Sequence, residues 1–377
     1  SATLDYMFYN GGRGAGTHTY TTVEFTDEEN GGFTRTKVTK TVAYGSLTSV
    51  TQYTSIGVSD KKISLNKYTI HTYTTPEDVL EETYETTLSF GSYITSCIPA
   101  TLSSLTVTNA SKIGAGALMN VPMIETLQLM DNSDDAEGVL RRLTTIENGA
   151  FYHMGSVLDL VIPSTVTTLG HFLTKDSSIE NLEVPAALRS VADHAFENSD
   201  ALKNVILKGE YHSADDFTVM GAFMFRDCDL LEKVTQEGPM EIIRTYAFYE
   251  CPNLKWFNGT EEEIENNIYI IRIVGAETLE DGTRVPGTQI IEPYAFSFNP
   301  NSTVTPQIQR IEINKSVVAE IGKFAFAYQT SVTGPDGLKL NTNVLGAFAF
   351  KGCTGLTNVT FPKAIHVINA GAFYNCI

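Results

Sequence analysis

The sequence predicts an α/β solenoid, in which a parallel β-sheet forms one face and turns and short helical segments form the other. Two alternating patterns carry this prediction. In the first, an aliphatic residue is followed five positions later by Phe, usually after Ala, as at Ile368 and Phe373. In the second, apolar residues are spaced as in Leu356, Val359 and Phe361. Regular alternation of this kind is the sequence signature of a repeat protein.

The first pattern recurs at a nearly constant interval. Phe326 and Phe350 are 24 positions apart, and Phe350 and Phe373 are 23 positions apart. The second pattern places apolar residues at alternate positions, which is typical of a short strand. One repeat cannot bury its apolar side alone, so neighbouring repeats are expected to stack and share a core. Further copies end at Phe151, Phe196, Phe225, Phe248 and Phe296, and a shortened copy ends at Phe172.

Residues 368–376 and 356–362 resemble the consensus of the BspA-like (Treponema pallidum type) leucine-rich repeats. The resemblance covers residues 96–377, over which about ten copies keep the same register. It implies a leucine-rich-repeat solenoid. It also implies a secreted or surface-anchored bacterial protein used in adhesion or in binding host molecules and other partners.

Two segments depart from the repeat. Residues 1–95 are rich in Thr, Tyr and Val at alternating positions, which predicts antiparallel hairpins. This N-terminal β-rich segment is either a separate domain or an insertion in the array. Residues 258–290 interrupt the solenoid of residues 96–377, and the Asp-Gly pair at 281–282 predicts an inserted hairpin with its turn there.

No set of residues indicates catalysis, a cofactor or a metal ion. The 7 His residues are scattered, and no metalloprotease, nucleophile-elbow or phosphate-loop motif occurs. We therefore predict a protein that is not an enzyme and that holds no cofactor and no metal ion. Four cysteines follow a repeat Phe by three positions, which favours small buried thiols, with two inter-rung disulfides as the alternative: Cys228, Cys251, Cys353 and Cys376.

The charge and hydropathy of the chain limit the classes of partner that we expect it to bind. The formal net charge is −18 at pH 7, and the basic residues do not cluster along the sequence. Binding of nucleic acid requires a positive surface that neutralises phosphates, so we expect no nucleic-acid partner. No apolar run reaches the roughly 18 residues that a spanning helix needs, so we expect no membrane insertion.

The outward residues of the predicted strands define a candidate binding face. Strand residues that alternate with core positions point away from the core, and a preformed face loses little ordering entropy on binding. For the single Trp, the alternative is packing beneath the 258–290 insertion. The candidate binding residues are Gln128, Val161, Glu183, Ile206, Thr235, Trp256, Glu312, Lys339 and Thr360.

These features predict an extracellular or cell-surface module for binding and adhesion. Its ligand is expected to be a protein or glycan, such as a host or matrix component or a neighbouring cell-surface protein. The alternative function is a structural spacer or an assembly subunit of a larger surface protein. No strand follows Cys376, so two further hypotheses arise: the chain is a piece of a longer repeat protein, or another copy completes the rung by end-to-end self-association.

Overall fold

The structure is a computed structural model, and it describes most of residues 104–376 together with four strands before them. The chain divides into two compact units, residues 1–159 with 173–178 and residues 160–172 with 179–377. Within residues 104–376, the parts left out of the description are 108–109, 120, 139, 209–219, 239, 276, 279, 281, 283, 286 and 315–316.

The first unit contains an antiparallel hairpin and a mixed sheet. The hairpin joins β1 (Gly16–Asp27) to β2 (Phe33–Tyr44). In the sheet, β3 (Gly57–Ser59) and β4 (Lys62–Leu65) are antiparallel, whereas β4 pairs in parallel with β5 (Ser104–Val107). This sheet therefore joins residues on both sides of position 95. Strand β6 (Lys112–Ile113) pairs with β8 (Thr145–Ile146), and β7 (Thr126–Leu129) pairs with β5, in both cases in parallel.

The main sheet of the second unit has eight described strands. Its pairings from β11 onward are parallel. Apolar residues alternate with polar ones along most of these strands, and the apolar residues are buried. In spatial order the strands are β9 (Asp159–Val161), β11 (Asn181–Val184), β13 (Asn204–Leu207), β14 (Lys233–Gln236), β16 (Trp256–Phe257), β17 (Ile270–Val274), β21 (Arg310–Asn314) and β23 (Leu338–Lys339).

Short parallel strands and turns make up the other side of each rung. Among the described residues, the one helix is α1 (Glu261–Glu265), and it does not belong to this side. The predicted short helical segments are therefore replaced by turns and strands of two to four residues. These strands are β10 (Thr168–Leu169) paired with β12 (Ser190–Val191), and the series β15 (Ile242–Ile243), β20 (Ile290–Ile291), β22 (Val318–Ile321), β24 (Thr342–Leu345) and β25 (Val367–Ile368).

The repeat Phe side chains confirm the predicted interior. Phe151 is completely buried in the first unit. In the second unit the repeat Phe rings stack at centroid distances of 5.1–5.4 Å, with planes within 12° of parallel. Such ring pairs stabilise a core by about 0.5–1.5 kcal/mol beyond area burial. This core column contains Phe196, Phe225, Phe248, Phe296, Phe326, Phe350 and Phe373.

Three of the four cysteines that follow a repeat Phe by three positions are small buried thiols, as predicted, and Cys376 is half-buried. The thiol of Cys251 donates to the Phe225 carbonyl at 3.1 Å, and that of Cys353 donates to the Phe326 carbonyl at 3.3 Å. Cys228, Cys251 and Cys353 are free and buried. Burial raises the pKa of each of these three thiols. The alternative of inter-rung disulfides is not realised at these cysteines.

Residues 258–289 depart from the repeat on the side of the main sheet, whereas the turn side continues from one rung to the next. In sequence order they contain α1, then β17, then an antiparallel pair of β18 (Glu277–Thr278) and β19 (Arg284–Val285), with Gly282 between them at φ 84°. On the turn side β15 pairs directly with β20, and Phe248 stacks directly on Phe296. The segment therefore adds a strand to the main sheet, besides the hairpin that the sequence predicts.

Candidate functional site

The outward side chains of the main sheet form a continuous row, which we call the open row. Its members follow the register of the parallel strands, so each lies beside its neighbour on the next rung. Asn258, which directly follows β16, continues it between Thr235 and Arg272. The open row consists of Glu183, Ile206, Thr235, Asn258, Arg272, Glu312, Lys339 and Thr360.

Six of the nine candidate residues lie in the open row. Lys339 and Thr360 are exposed, whereas Glu183, Ile206, Thr235 and Glu312 are half-buried. Val161 is on β9, next to β11 in the sheet, and its side chain is 53% exposed. Gln128 is exposed in the first unit, where it accepts a 3.5 Å hydrogen bond from Thr106. Whether these residues contact a ligand stays a prediction.

Trp256 does not belong to the open row. The register places it beside Lys233 and Ile270, and its side chain is only 8% exposed. Its indole N–H donates to the Ile268 carbonyl at 3.0 Å, and its ring meets the edge of Tyr269 at 5.4 Å. The residue therefore packs beneath the inserted segment, which is the alternative that the sequence left open.

The wrong position for Trp256 has a simple cause. The other candidate residues of the second unit come directly after a buried strand residue, whereas Trp256 comes directly before Phe257. Asn258 occupies the equivalent outward position. The Asn258 side-chain amide accepts from the Gln236 N–H at 2.8 Å and donates to the Arg272 carbonyl at 3.1 Å. Asn258 thus links neighbouring rungs.

Arg272 fixes the helix against the open row. Its guanidinium donates to both carboxylate oxygens of Glu263, to the Asn258 carbonyl at 2.9 Å and to Glu312 at 3.5 Å. The side chains of Arg272 and Glu263 are only 15% and 13% exposed. Hydrogen bonds from Arg272 and from the Thr260 backbone lower the pKa of Glu263 to about 2. Helix α1 therefore covers the Arg272 side chain, although Arg272 keeps its place in the register of the open row.

Sequence reasoning missed Arg272 and α1, although both carry a signal. Arg272 alternates with Ile271 and Ile273, as an outward residue of a strand does. Thr260 and Glu263 form a capping box, in which each side chain accepts the backbone N–H of the other residue at 3.3 and 2.8 Å. This spacing of Thr and Glu is a recognisable start of a helix in a sequence.

Charged residues beside the open row are balanced between rungs. Lys208 forms ion pairs with Glu237 at 3.1 Å and Glu183 at 3.7 Å. Its pKa is raised, mainly because its ammonium donates to Glu237. Lys203 pairs with Glu180 at 2.8 Å. This stretch of the sheet therefore offers a ligand a polar surface with little local excess of charge.

A second row of rings lies along the turns of the second unit, and we call it the outer column. Most of its members stand two positions before a core-column Phe. Neighbouring rings stack at 4.5–5.5 Å, and all except the first are half-buried. Its first member is Phe172 of the shortened copy, which is buried and stacks on His194. The outer column contains Phe172, His194, Phe223, Tyr246, Tyr294, Phe324 and Phe348.

The outer column requires an unusual backbone. Each of its residues has a φ between 49° and 63°, which bulky L-residues rarely adopt. In this conformation the turn can donate to the next rung: Phe324 to the Ala347 carbonyl at 3.1 Å, and Tyr328 to the Lys351 carbonyl at 2.7 Å. A left-handed residue costs roughly 1–2 kcal/mol. Inter-rung hydrogen bonds and ring stacking offset this cost.

The described residues contain neither a metal-binding cluster nor a helix suited to a membrane. Among the residues that the structure describes, no group of three or more His, Cys, Asp or Glu side chains is placed to hold a metal ion. Within the same part of the chain, no helix has both the length and the apolar character needed to cross a membrane.

Comparison with protein families gave a match over more than half of the chain. A family model described as "BspA type Leucine rich repeat region" matches residues 140–270 and 283–377 in 6 copies. The gap in this match falls in the inserted segment. No curated protein sequence matched the chain.

Solved structures with similar folds come from bacterial leucine-rich repeat proteins. One from Eubacterium ventriosum has 14% identity and a TM-score of 0.32, covering 96% of each chain. The Treponema pallidum leucine-rich repeat protein has 15% identity and a TM-score of 0.34, covering 59% of this chain and 96% of its own. A leucine-rich cell surface protein from Faecalibacterium prausnitzii has 17% identity and a TM-score of 0.31, covering 95% and 92%.

Proposed function

Because the chain belongs to the BspA-type leucine-rich repeat family, we propose that it is a non-enzymatic module of a bacterial surface that binds a protein through the open row. The observation that carries the proposal is the unbroken register of this row across the parallel strands. Backbone hydrogen bonds hold its outward side chains at fixed positions. A ligand therefore meets a preformed surface and loses little free energy to ordering it.

The stretch of the sheet around β9, β11 and β13 favours a protein ligand over a glycan. Val161 is a half-exposed apolar residue, and Ile206 lies two strands away in the sheet. Glu183 lies between them and is balanced by Lys208. Apolar side chains among paired charges are typical of protein interfaces. With Trp256 buried, no Trp in the chain offers a ring face to a sugar.

The proposed ligand is a host or matrix component, or a neighbouring cell-surface protein, and the biological role is adhesion. The purified chain is applied to arrays of matrix proteins and glycans, and a protein that binds it is measured by titration. Detection of the chain by antibody on intact source cells tests the surface location. If no protein on the array binds, or if the antibody detects the chain only after lysis, this role is wrong.

Val161→Glu tests the location of the binding surface, because Val161 lies on β9, the strand next to β11, which carries Glu183 of the open row. It introduces a charge at an exposed position of β9, so it should weaken binding of the array ligand about tenfold and leave the fold intact. Val304→Glu is the matched control, because Val304 is 49% exposed and lies outside the main sheet. If the two variants bound the array ligand with equal affinity, the binding surface would lie elsewhere. If the chain is a structural spacer, neither substitution should change its contacts with other proteins.

A further inference from the structure

Two lysines on the turn side lie against aromatic rings instead of carboxylates. The Lys351 ammonium is 5.6–5.7 Å from the ring centroids of Phe324, Tyr328 and Phe348. The Lys323 ammonium is 5.4 Å from the centroid of Phe324. Neither lysine forms an ion pair with any residue in the described part of the chain. We call these five residues the lysine–ring surface.

In the described part of the chain, the other cations that contact rings are paired with carboxylates. Arg226 lies 5.8 Å from the Phe223 centroid, and it pairs with Asp227 at 3.0 Å. Lys255 lies 5.7 Å from the Trp256 centroid, and it pairs with Glu232 at 2.6 Å. The lysine–ring surface is therefore a local positive region in a chain whose net charge is −18.

The arrangement of the two ammonium groups favours an anion. Both lie beside the same ring, that of Phe324, at 5.4 and 5.7 Å from its centroid. Neither ammonium is paired with a carboxylate of the described chain, so each can pair with a carboxylate of a ligand. Ring stacking along the outer column covers the faces of the rings and leaves their edges, which carry partial positive charge, toward the ligand.

Backbone N–H and carbonyl groups around the lysine–ring surface bond to neighbouring rungs, so few remain to form hydrogen bonds with a peptide ligand. The Phe324 N–H donates to the Ala347 carbonyl, the Tyr328 N–H to the Lys351 carbonyl and the Gly352 N–H to the Tyr374 carbonyl. The side chains that remain are ammonium and phenol groups, which are good donors. A peptide brings a backbone N–H at nearly every residue that needs an acceptor. An acidic sugar chain brings carboxylate, hydroxyl and ether oxygens, which fit a donor-rich surface.

We propose that the lysine–ring surface binds a polysaccharide that carries carboxylates, that is, a chain of uronic acid residues. This surface lies on the turns, whereas the open row lies on the main sheet, so the two sites belong to different sides of a rung. The carboxylates pair with Lys323 and Lys351, and the sugar hydroxyls accept from the half-buried phenols of Tyr294 and Tyr328. Binding weakens with added salt, because it depends on charge.

The test is titration of the full chain with an oligogalacturonate at low ionic strength. The altered protein is the double variant Lys323→Met and Lys351→Met, which removes the charges and keeps the aliphatic contacts with the rings. The matched control is Arg189→Met with Lys363→Met, which removes the same charge from two exposed positions outside the open row and the lysine–ring surface. We expect the double variant to bind about tenfold more weakly and the control to bind like the original protein.

Comparison ligands separate the acidic glycan from other partners. The same oligomer with its carboxyl groups reduced to alcohols should not bind, and a polyglutamate peptide of equal charge should bind more weakly. The proposal is overturned if the original protein does not bind the oligogalacturonate, or if the control variant loses as much affinity. It is equally overturned if the reduced oligomer or the peptide binds as tightly. Melting curves verify folding, and Lys323→Glu, at an exposed position, replaces the double variant if that variant is unstable.

Discussion

The guanidinium of Arg272 donates to both carboxylate oxygens of Glu263. It therefore attaches β17 of the main sheet to α1, the only helix of the described structure. Both side chains are largely buried, and the remaining donors of Arg272 contact Asn258 and Glu312. A pair of this kind is costly to break from one side, because the other charge is left without its partner.

Arg272→Met should therefore destabilise the inserted segment. We expect a loss of about 1–3 kcal/mol, since a largely buried charged group loses its hydrogen bonds. The measurement is hydrogen exchange at the amides of α1, together with the denaturant midpoint. Lys203→Met is the control, because it breaks an exposed ion pair with Glu180 that contributes at most about 1 kcal/mol. If the amides of α1 exchanged faster in Lys203→Met than in Arg272→Met, the pair of Arg272 and Glu263 would not be what holds the helix.

Acid should break the pair of Arg272 and Glu263, because it protonates the Glu263 carboxylate. The pKa of Glu263 is lowered from its ordinary value of 4.5 to about 2. A lowered pKa in the folded state means that the stabilisation is complete above the unfolded pKa and is lost as the pH falls toward the folded pKa. The stability difference between the protein and Glu263→Gln should thus shrink between about pH 4.5 and pH 2. A difference that stays constant over this range would show that Glu263 is not ionised in the pair.

Trp256→Ala should reduce stability without reducing affinity for an open-row ligand. The indole is buried and its N–H is bonded to Ile268, so its removal leaves a cavity. Replacing a buried Trp by Ala costs about 3–5 kcal/mol. Melting curves and titration with the array ligand measure the two effects separately. Loss of affinity in a variant that remains folded would return Trp256 to the binding face.

Gly371→Ala tests the packing at the end of the outer column. Gly371 has a φ of 64°, and a Cβ there would lie 2.5 Å from Cε1 of Phe348. Gly334 provides the control, because its φ is 76° but a Cβ there would have no neighbour within 4 Å. Gly334→Ala should cost about 1–2 kcal/mol from backbone strain alone. Gly371→Ala should cost more, because Phe348 must also move; equal melting temperatures of the two variants would refute this account.

The buried thiols should resist modification. Burial raises the pKa of Cys228 and Cys353, and only the thiolate is a good nucleophile. Cys376 is partly exposed, so it should react before Cys228, Cys251 and Cys353 with an alkylating reagent at mildly alkaline pH. Mass spectrometry identifies the labelled sites before and after denaturation. Rapid labelling of Cys353 in the folded protein would mean that the stack opens readily at this rung.

The core could be predicted from the sequence because its signal is apolar periodicity. Phe326, Phe350 and Phe373 recur at the spacing of one rung, and the structure stacks them in one column. The candidate face also followed from period-two alternation, which holds wherever the strand is regular. It failed at Trp256, because this residue precedes the buried Phe257 instead of following it, just where the chain enters the insertion. A local irregularity thus moved one candidate out of the row.

The outer column could not be derived from residue propensities. Phe223, Tyr246 and Tyr294 adopt positive φ, which nothing in these residue types favours. Their conformation depends on hydrogen bonds to a neighbouring rung that is distant in sequence. The one available signal was positional, since an aromatic residue recurs two places before most repeat Phe residues. The lysine–ring surface depends on this column and was hidden for the same reason.

Each turn donates the same backbone hydrogen bonds to the turn of the next rung. One rung can therefore take the place of another as a unit. Removing residues 325–348, which span one interval from just after Phe324 through Phe348, would leave the preceding turn facing an equivalent partner. Deleting half of that length would set every later donor against the wrong carbonyl. Evolution of such a chain can therefore gain or lose whole coils freely, whereas smaller changes in length are confined to places where the chain leaves the stack.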